Sequence, residues 1–249
     1  MRKSALTAVL LLAVAIGFAA ESKQVTYKSG DEAVSATLYT PANAKGKLPG
    51  IIVIHEWWGL DEWVKQQASR LADQGYATLA VDLYRGKVTK DPSEAHEIMR
   101  GLPPDRAVRD LKAAFEYLAK QPNVDPSRIG AIGWCMGGGY ALALAENEPR
   151  LAATVINYGH VGTETDELKK INASVLGIFG GKDRGIPVDD VKRFEQQLKQ
   201  LGKRVEVVIY PEAGHAFQNP NNKAHRPDDT ADSWKRTLAF LEKNLQQKQ

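Results

Sequence analysis

Beyond the first twenty residues the chain alternates short apolar runs with amphipathic stretches, and the spacing within each predicts an element. Residues 24–27 and 33–39 alternate in polarity with period two, and Ser29-Gly30-Asp31 between them predicts an antiparallel hairpin. Gly50-Ile51-Ile52-Val53-Ile54 is a wholly apolar run rich in β-branched residues, which fits a parallel strand buried on both faces. Residues 60–74 have helical spacing and stop at Gly75. Strands predicted over 76–81, 128–133, 151–158, 174–179 and 204–210 then alternate with helices predicted over 92–99, 104–120, 136–146, 188–201 and 228–247. This rhythm predicts an α/β protein: a mostly parallel central sheet, helices on both faces, and the antiparallel N-terminal hairpin at one edge. No repeat, low-complexity tract or linker interrupts it, so a single domain over residues 20–249 is expected. Function in such sheets gathers in loops at the carboxyl ends of strands.

The first residues are a different kind of sequence. Arg2 and Lys3 precede an almost unbroken apolar run over 5–15, and Gly17-Phe18-Ala19 offers small residues at the −3 and −1 positions of a cut. Residues 1–19 are therefore expected to be a secretory signal peptide, with an uncleaved membrane anchor as the other reading. The expected location is exported, periplasmic or secreted, with no stable membrane insertion after cleavage. Removing Arg2 and Lys3 from the 33 basic residues leaves one more than the 30 acidic ones, without a basic cluster, so no nucleic-acid partner is expected. No metal cluster is visible, and Gly137-Gly138-Gly139 lacks the Lys-Ser/Thr ending of a phosphate loop, so neither metal nor cofactor is expected.

Gly133-Trp134-Cys135-Met136-Gly137-Gly138 lies between an apolar strand and an Ala-rich helix. It has the Gly-x-nucleophile-x-Gly form of a nucleophile elbow, with Cys135, the sole cysteine, where serine is usual. The turn is so tight that side chains two positions either side would clash. Its product is a sulfur at a helix N-terminus, where the macrodipole and free N–H groups favour a thiolate and an oxyanion. The alternative is a buried, inert cysteine beside packing glycines.

A thiolate nucleophile needs a base. Of His55, His96, His160, His215 and His225, His215 follows directly on the last predicted strand, where this fold order places its histidine, while His225 lies in a polar loop. Asp183, in Gly180-Gly181-Lys182-Asp183-Arg184-Gly185, follows the preceding strand and is placed to accept Nδ1–H from His215; shaping a Gly-rich turn is its other reading. Glu56 ends a buried strand, which is costly for a carboxylate without a partner, such as a buried arginine.

Together, His55-Glu56-Trp57-Trp58-Gly59, Asp82-Leu83-Tyr84-Arg85-Gly86, the Cys135 elbow, the Asp183 loop and Gly214-His215-Ala216-Phe217 resemble the dienelactone hydrolase family of α/β-hydrolases, from about residue 24 onward. The resemblance implies a Cys135–His215–Asp183 triad acting through an acyl-thioester on a small carboxylic ester or lactone. It also implies an oxyanion hole from the backbone N–H groups of Trp57 and Met136, and a Glu56 that contacts the resting thiol and helps generate the thiolate. Members that take a carboxylated lactone grip it with two arginines. One belongs four residues past the histidine, where Asn219 stands; Arg85 is one residue early for the other and is either a substrate anchor or a loop charge. Trp57, Trp58, Trp134 and Tyr158 are expected around the substrate with Asn219, so a less acidic, partly aromatic ester fits as well as a dienelactone. A thioesterase, acyltransferase or peptidase on the same triad, and a non-catalytic thiol-bearing binding or redox protein, remain the alternatives.

Overall fold

The computed structural model describes residues 20–246. The expected signal peptide over 1–19 lies outside the described residues.

Eight strands form one sheet in the order β1-β2-β4-β3-β5-β6-β7-β8. The hairpin pairs β1 (Glu21–Ser29) with β2 (Glu32–Thr40), and β2 runs antiparallel to β4 (Ala77–Val81). Gly30 takes φ +61° at the first position of the two-residue turn, a conformation open to glycine without steric cost. From β4 onward all neighbours are parallel: β3 (Leu48–Ile54), β5 (Val124–Trp134), β6 (Ala153–Asn157), β7 (Ser174–Gly180) and β8 (Val205–Tyr210).

Period-two alternation divides each inner strand between two cores. Ile52, Ile54, Leu79, Val81 and Ala131 face α3 (Pro104–Ala119), α4 (Met136–Asn147) and α6 (Val188–Gln200). Ile51, Val53, Ala80, Ile132 and Trp134 face α1 (Glu62–Asp73) and α7 (Pro227–Leu241). Helices therefore cover both sides, as the apolar runs predict. Two short helices complete the fold: α2 (Pro92–Arg100), capped by Asp91, and α5 (Thr165–Lys169), a single turn that the hydrophobic spacing does not reveal. The predicted last helix changes at Glu242 into a π-helical turn that runs to Gln246. Among the described residues no helix is long and apolar enough to cross a membrane.

The order creates the site. The chain leaves β3 for β4 on one side and later crosses to β5 on the other, so the loops beyond β3 and β5 diverge and open a crevice.

Candidate active site

The elbow is built by steric exclusion. Cys135 stands between β5 and α4 with φ 55° and ψ −120°, a conformation that costs a non-glycine residue energy. A β-carbon at Gly133 would lie 2.0 Å from the Gly137 carbonyl oxygen, and one at Gly137 would lie 2.4 Å from that of Ile54. Glycine is thus required at both positions. The Cys135 N–H donates to the Asn157 carbonyl (3.0 Å), tying the elbow to β6. Met136 is the first residue of α4, so its N–H has no acceptor within the helix.

Beyond β7, the Asp183 carboxylate accepts from the backbone N–H groups of Gly185 (2.8 Å) and Ile186 (3.2 Å) through Oδ1. Its Oδ2 meets Nδ1 of His215 at 2.7 Å. The Asp183 side chain is buried while that of His215 keeps 40% of its surface exposed. Burial alone would hold the imidazole neutral, but the hydrogen bond to Asp183, and then the Cys135 sulfur, outweigh it and raise the His215 pKa to about 10. With Nδ1 engaged, Nε2 is the ring nitrogen left for the sulfur. Asp183 thus shapes its turn with one oxygen and orients His215 with the other.

Glu56, at the end of β3, is 2% exposed. Its partners are the Asn219 amide, which donates to Oε2 (2.7 Å), and the Tyr158 hydroxyl, which donates to Oε1 (3.4 Å). Neither is a cation, and burial pushes the Glu56 pKa up to about 7. The polar ends of Asn219 and Tyr158 are therefore engaged with Glu56. The Tyr158 ring stands edge-on to His215 at 5.3 Å, so the same residue touches both Glu56 and His215.

Two other side chains have partners elsewhere in the fold. Arg85 pairs with the fully buried Asp110 of α3 (2.8 Å) and with Glu32 of β2 (2.7 Å), which fastens the β4–α2 loop to the hairpin edge. Trp134 lies on the Ile132 face of β5, away from α4. Its indole N–H donates to Gln218 (2.7 Å) and its ring packs edge-on to Trp63 (5.4 Å), lining a 530 Å³ cavity between α1 and α7. Trp58 and Asn219 line a 330 Å³ hollow with Val88 and Thr89, while Met136 and His160 line another of 430 Å³ over α4. Trp57 stacks edge-on against Trp58 at 4.8 Å.

The sequence puts His55 at the end of a strand and at the head of the first motif, with no role of its own. The structure buries it completely, with Nδ1 2.6 Å from the Glu56 carbonyl, Nε2 accepting from the Leu83 N–H (3.2 Å), and the ring edge-on to Tyr84 (4.8 Å).

A cysteine elbow ending a central parallel strand, a histidine after the last strand and helices on both faces together define an α/β-hydrolase. Comparison with known proteins narrows the class. The profile of the dienelactone hydrolase family matches residues 34–245. A Methylorubrum extorquens protein assigned as a carboxymethylenebutenolidase is 33% identical over 83% of this chain and 75% of its own. A Yersinia pestis protein with the same assignment is 32% identical over 88% and 86%. Among solved structures, a Klebsiella pneumoniae protein assigned as a dienelactone hydrolase superposes with a TM-score of 0.83 at 31% identity, covering 90% of this chain and 99% of its own. The chain belongs to the dienelactone hydrolase family.

Proposed function

We propose that the protein hydrolyses carboxylic esters and lactones through a covalent acyl-thioester on Cys135. The observation that carries this reading is the position of His215, joined to Asp183 at 2.7 Å and drawn toward its charged form by the Cys135 sulfur as well. In that reading the Cys135 thiolate attacks the substrate carbonyl carbon, and the carbonyl oxygen becomes an oxyanion facing the N–H groups of Trp57 and Met136. The tetrahedral intermediate collapses, the carbon–oxygen ester bond breaks, and the leaving alkoxide takes a proton from the His215 imidazolium. The neutral imidazole then removes a proton from water, whose oxygen attacks the thioester. Collapse releases the carboxylic acid and returns the sulfur as a thiolate beside imidazolium. Asp183 holds His215 with its working nitrogen toward the sulfur throughout.

Glu56, which the family resemblance ties to the Cys135 thiol, can take that thiol's proton before the first attack, because burial raises its own pKa to about 7. The butenolide in the relatives' assignment is an unsaturated lactone, which supports lactones alongside open esters. With Asn219 engaged by Glu56 and Arg85 by Asp110, neither side chain is left to grip a carboxylate, which supports a neutral, partly aromatic acyl group. Export through a leader over residues 1–19 belongs to the same proposal and is tested by N-terminal sequencing of the protein recovered outside the cytoplasm.

The experiment is turnover of p-nitrophenyl acetate and of a neutral butyrolactone by wild type, Cys135→Ala and Cys135→Ser. Loss of turnover in the alanine variant, and a fall of orders of magnitude in the serine variant, are expected because an alcohol is much harder to deprotonate than a thiol. A folded alanine variant that retains most of the turnover overturns the reading.

A further inference from the structure

We infer that His55 is the positioning residue of the oxyanion hole, holding the Glu56–Trp57 peptide plane so that the Trp57 N–H faces the reacting carbonyl. The inference rests on the proposed hydrolytic role of Cys135 and adds to it a residue that touches neither substrate nor sulfur.

It begins with the geometry of one peptide unit. In a planar trans peptide the carbonyl of residue i and the N–H of residue i+1 point in opposite directions. The Glu56 carbonyl oxygen meets His55 Nδ1 at 2.6 Å and also accepts from the Gly59 N–H at 3.3 Å. His55 is fully buried, so that carbonyl is drawn into the protein interior. The N–H of Trp57, fixed in the same plane, is turned the other way. Moving the carbonyl by rotation about this plane moves the N–H by the same angle.

The ring itself is locked from its other side. Nε2 accepts from the Leu83 N–H at 3.2 Å, so this nitrogen must be bare and the proton must sit on Nδ1, where it is donated to Glu56. Only one neutral tautomer satisfies both partners, and burial disfavours the charged form that would set two donors against each other at Leu83. The edge-on contact with Tyr84 adds a third constraint, and the Tyr84 hydroxyl reaches the Met136 sulfur at 3.1 Å. Both proposed oxyanion donors, at Trp57 and Met136, thereby connect to one loop through His55 and Tyr84. A glycine follows in the same turn because a β-carbon at Gly59 would lie 2.2 Å from the Lys87 carbonyl, which keeps the two loops in contact.

The test separates the oxyanion hole from the nucleophile. Alkylation of Cys135 by iodoacetamide needs the thiolate but forms no oxyanion, whereas ester turnover needs both. In His55→Phe the ring volume remains and both hydrogen bonds are lost; His55→Gln supplies an amide donor for Glu56 and a carbonyl acceptor for Leu83. The phenylalanine variant should lose about 100-fold in kcat, the scale of one oxyanion donor, with KM within about threefold and the alkylation rate within about twofold of wild type. The glutamine variant should recover at least about tenfold of that loss. Should the phenylalanine variant fail to fold, His55→Met, a flexible filler without a donor, replaces it with the same expectation. Wild-type kcat in the variant without hydrogen bonds overturns the inference, as does equal loss of alkylation and turnover, or failure of glutamine to recover any activity. Absence of ester turnover in wild type itself would instead overturn the hydrolytic reading.

Discussion

Glu56→Gln isolates the cost of burying a carboxyl group with only neutral partners. In the folded protein the Glu56 pKa is raised from an ordinary 4.5 to about 7, chiefly by desolvation. Between those values the unfolded chain has released a proton that the folded chain still holds, so stability falls as pH rises through this window. The raised pKa costs the folded protein about 3 kcal/mol of stability at pH 8, but less than about 1 kcal/mol at pH 5, where the folded carboxyl is still protonated and the unfolded one only partly ionised. Glutamine keeps the shape without the charge. Its carbonyl can accept from Asn219 and its amide can donate to the Tyr158 oxygen, so neither partner is left unsatisfied. The stability of the glutamine variant relative to wild type should therefore rise by about 2 kcal/mol from pH 5 to pH 8. Urea denaturation of both proteins at pH 5, 6, 7 and 8, followed by tryptophan fluorescence, measures it. A stability difference between the two that stays constant across these pH values refutes the reasoning.

Two further outcomes are expected. Arg85→Ala removes the cation paired with buried Asp110 and should cost about 3 kcal/mol in stability, while leaving the ratio of kcat/KM for matched anionic and neutral esters unchanged; unchanged stability together with a lost preference for the anion would instead make Arg85 a substrate anchor. Gly137→Ala drives a β-carbon to within 2.4 Å of the Ile54 carbonyl and 2.5 Å of that of His55, so it should destabilise by about 1–3 kcal/mol or displace the elbow and abolish turnover. Thermal denaturation alongside ester turnover checks it, and wild-type values in both contradict the steric account of the elbow.

The fold was legible because its causes are local. Buried parallel strands such as residues 50–54 have to be apolar at every position, and Gly133 is demanded by the Gly137 carbonyl four residues on, although Gly137 itself answers to the distant carbonyls of Ile54 and His55. The single-turn α5 is too short to display a period, and β5 begins at Val124, four residues before its apolar run, through Asp125 and Pro126. Partners far apart in the chain were not legible. Glu56 meets Asn219 across 163 positions, and no local pattern announces an amide in place of a buried arginine. Some signals were present but unread. Asp110 interrupts the apolar stripe of Ala107, Leu111, Ala114 and Leu118, which marks a buried acid in need of a cation, and Arg85 supplies it. Trp134 shares the parity of Ile132, so period two alone puts it on the α1–α7 side of the sheet. His55 heads a motif, but its role was not legible, because it depends on a carbonyl one residue away and an N–H on another loop.

The measurement closest to the central claim is intact-protein mass spectrometry within milliseconds of mixing with an activated ester of slow deacylation, followed by peptide mapping. The account predicts one acyl group per chain, held as a thioester on the peptide containing Cys135, cleaved by hydroxylamine and absent in Cys135→Ala. Steady ester hydrolysis without any adduct on that peptide, or with the acyl group on another residue, would contradict it.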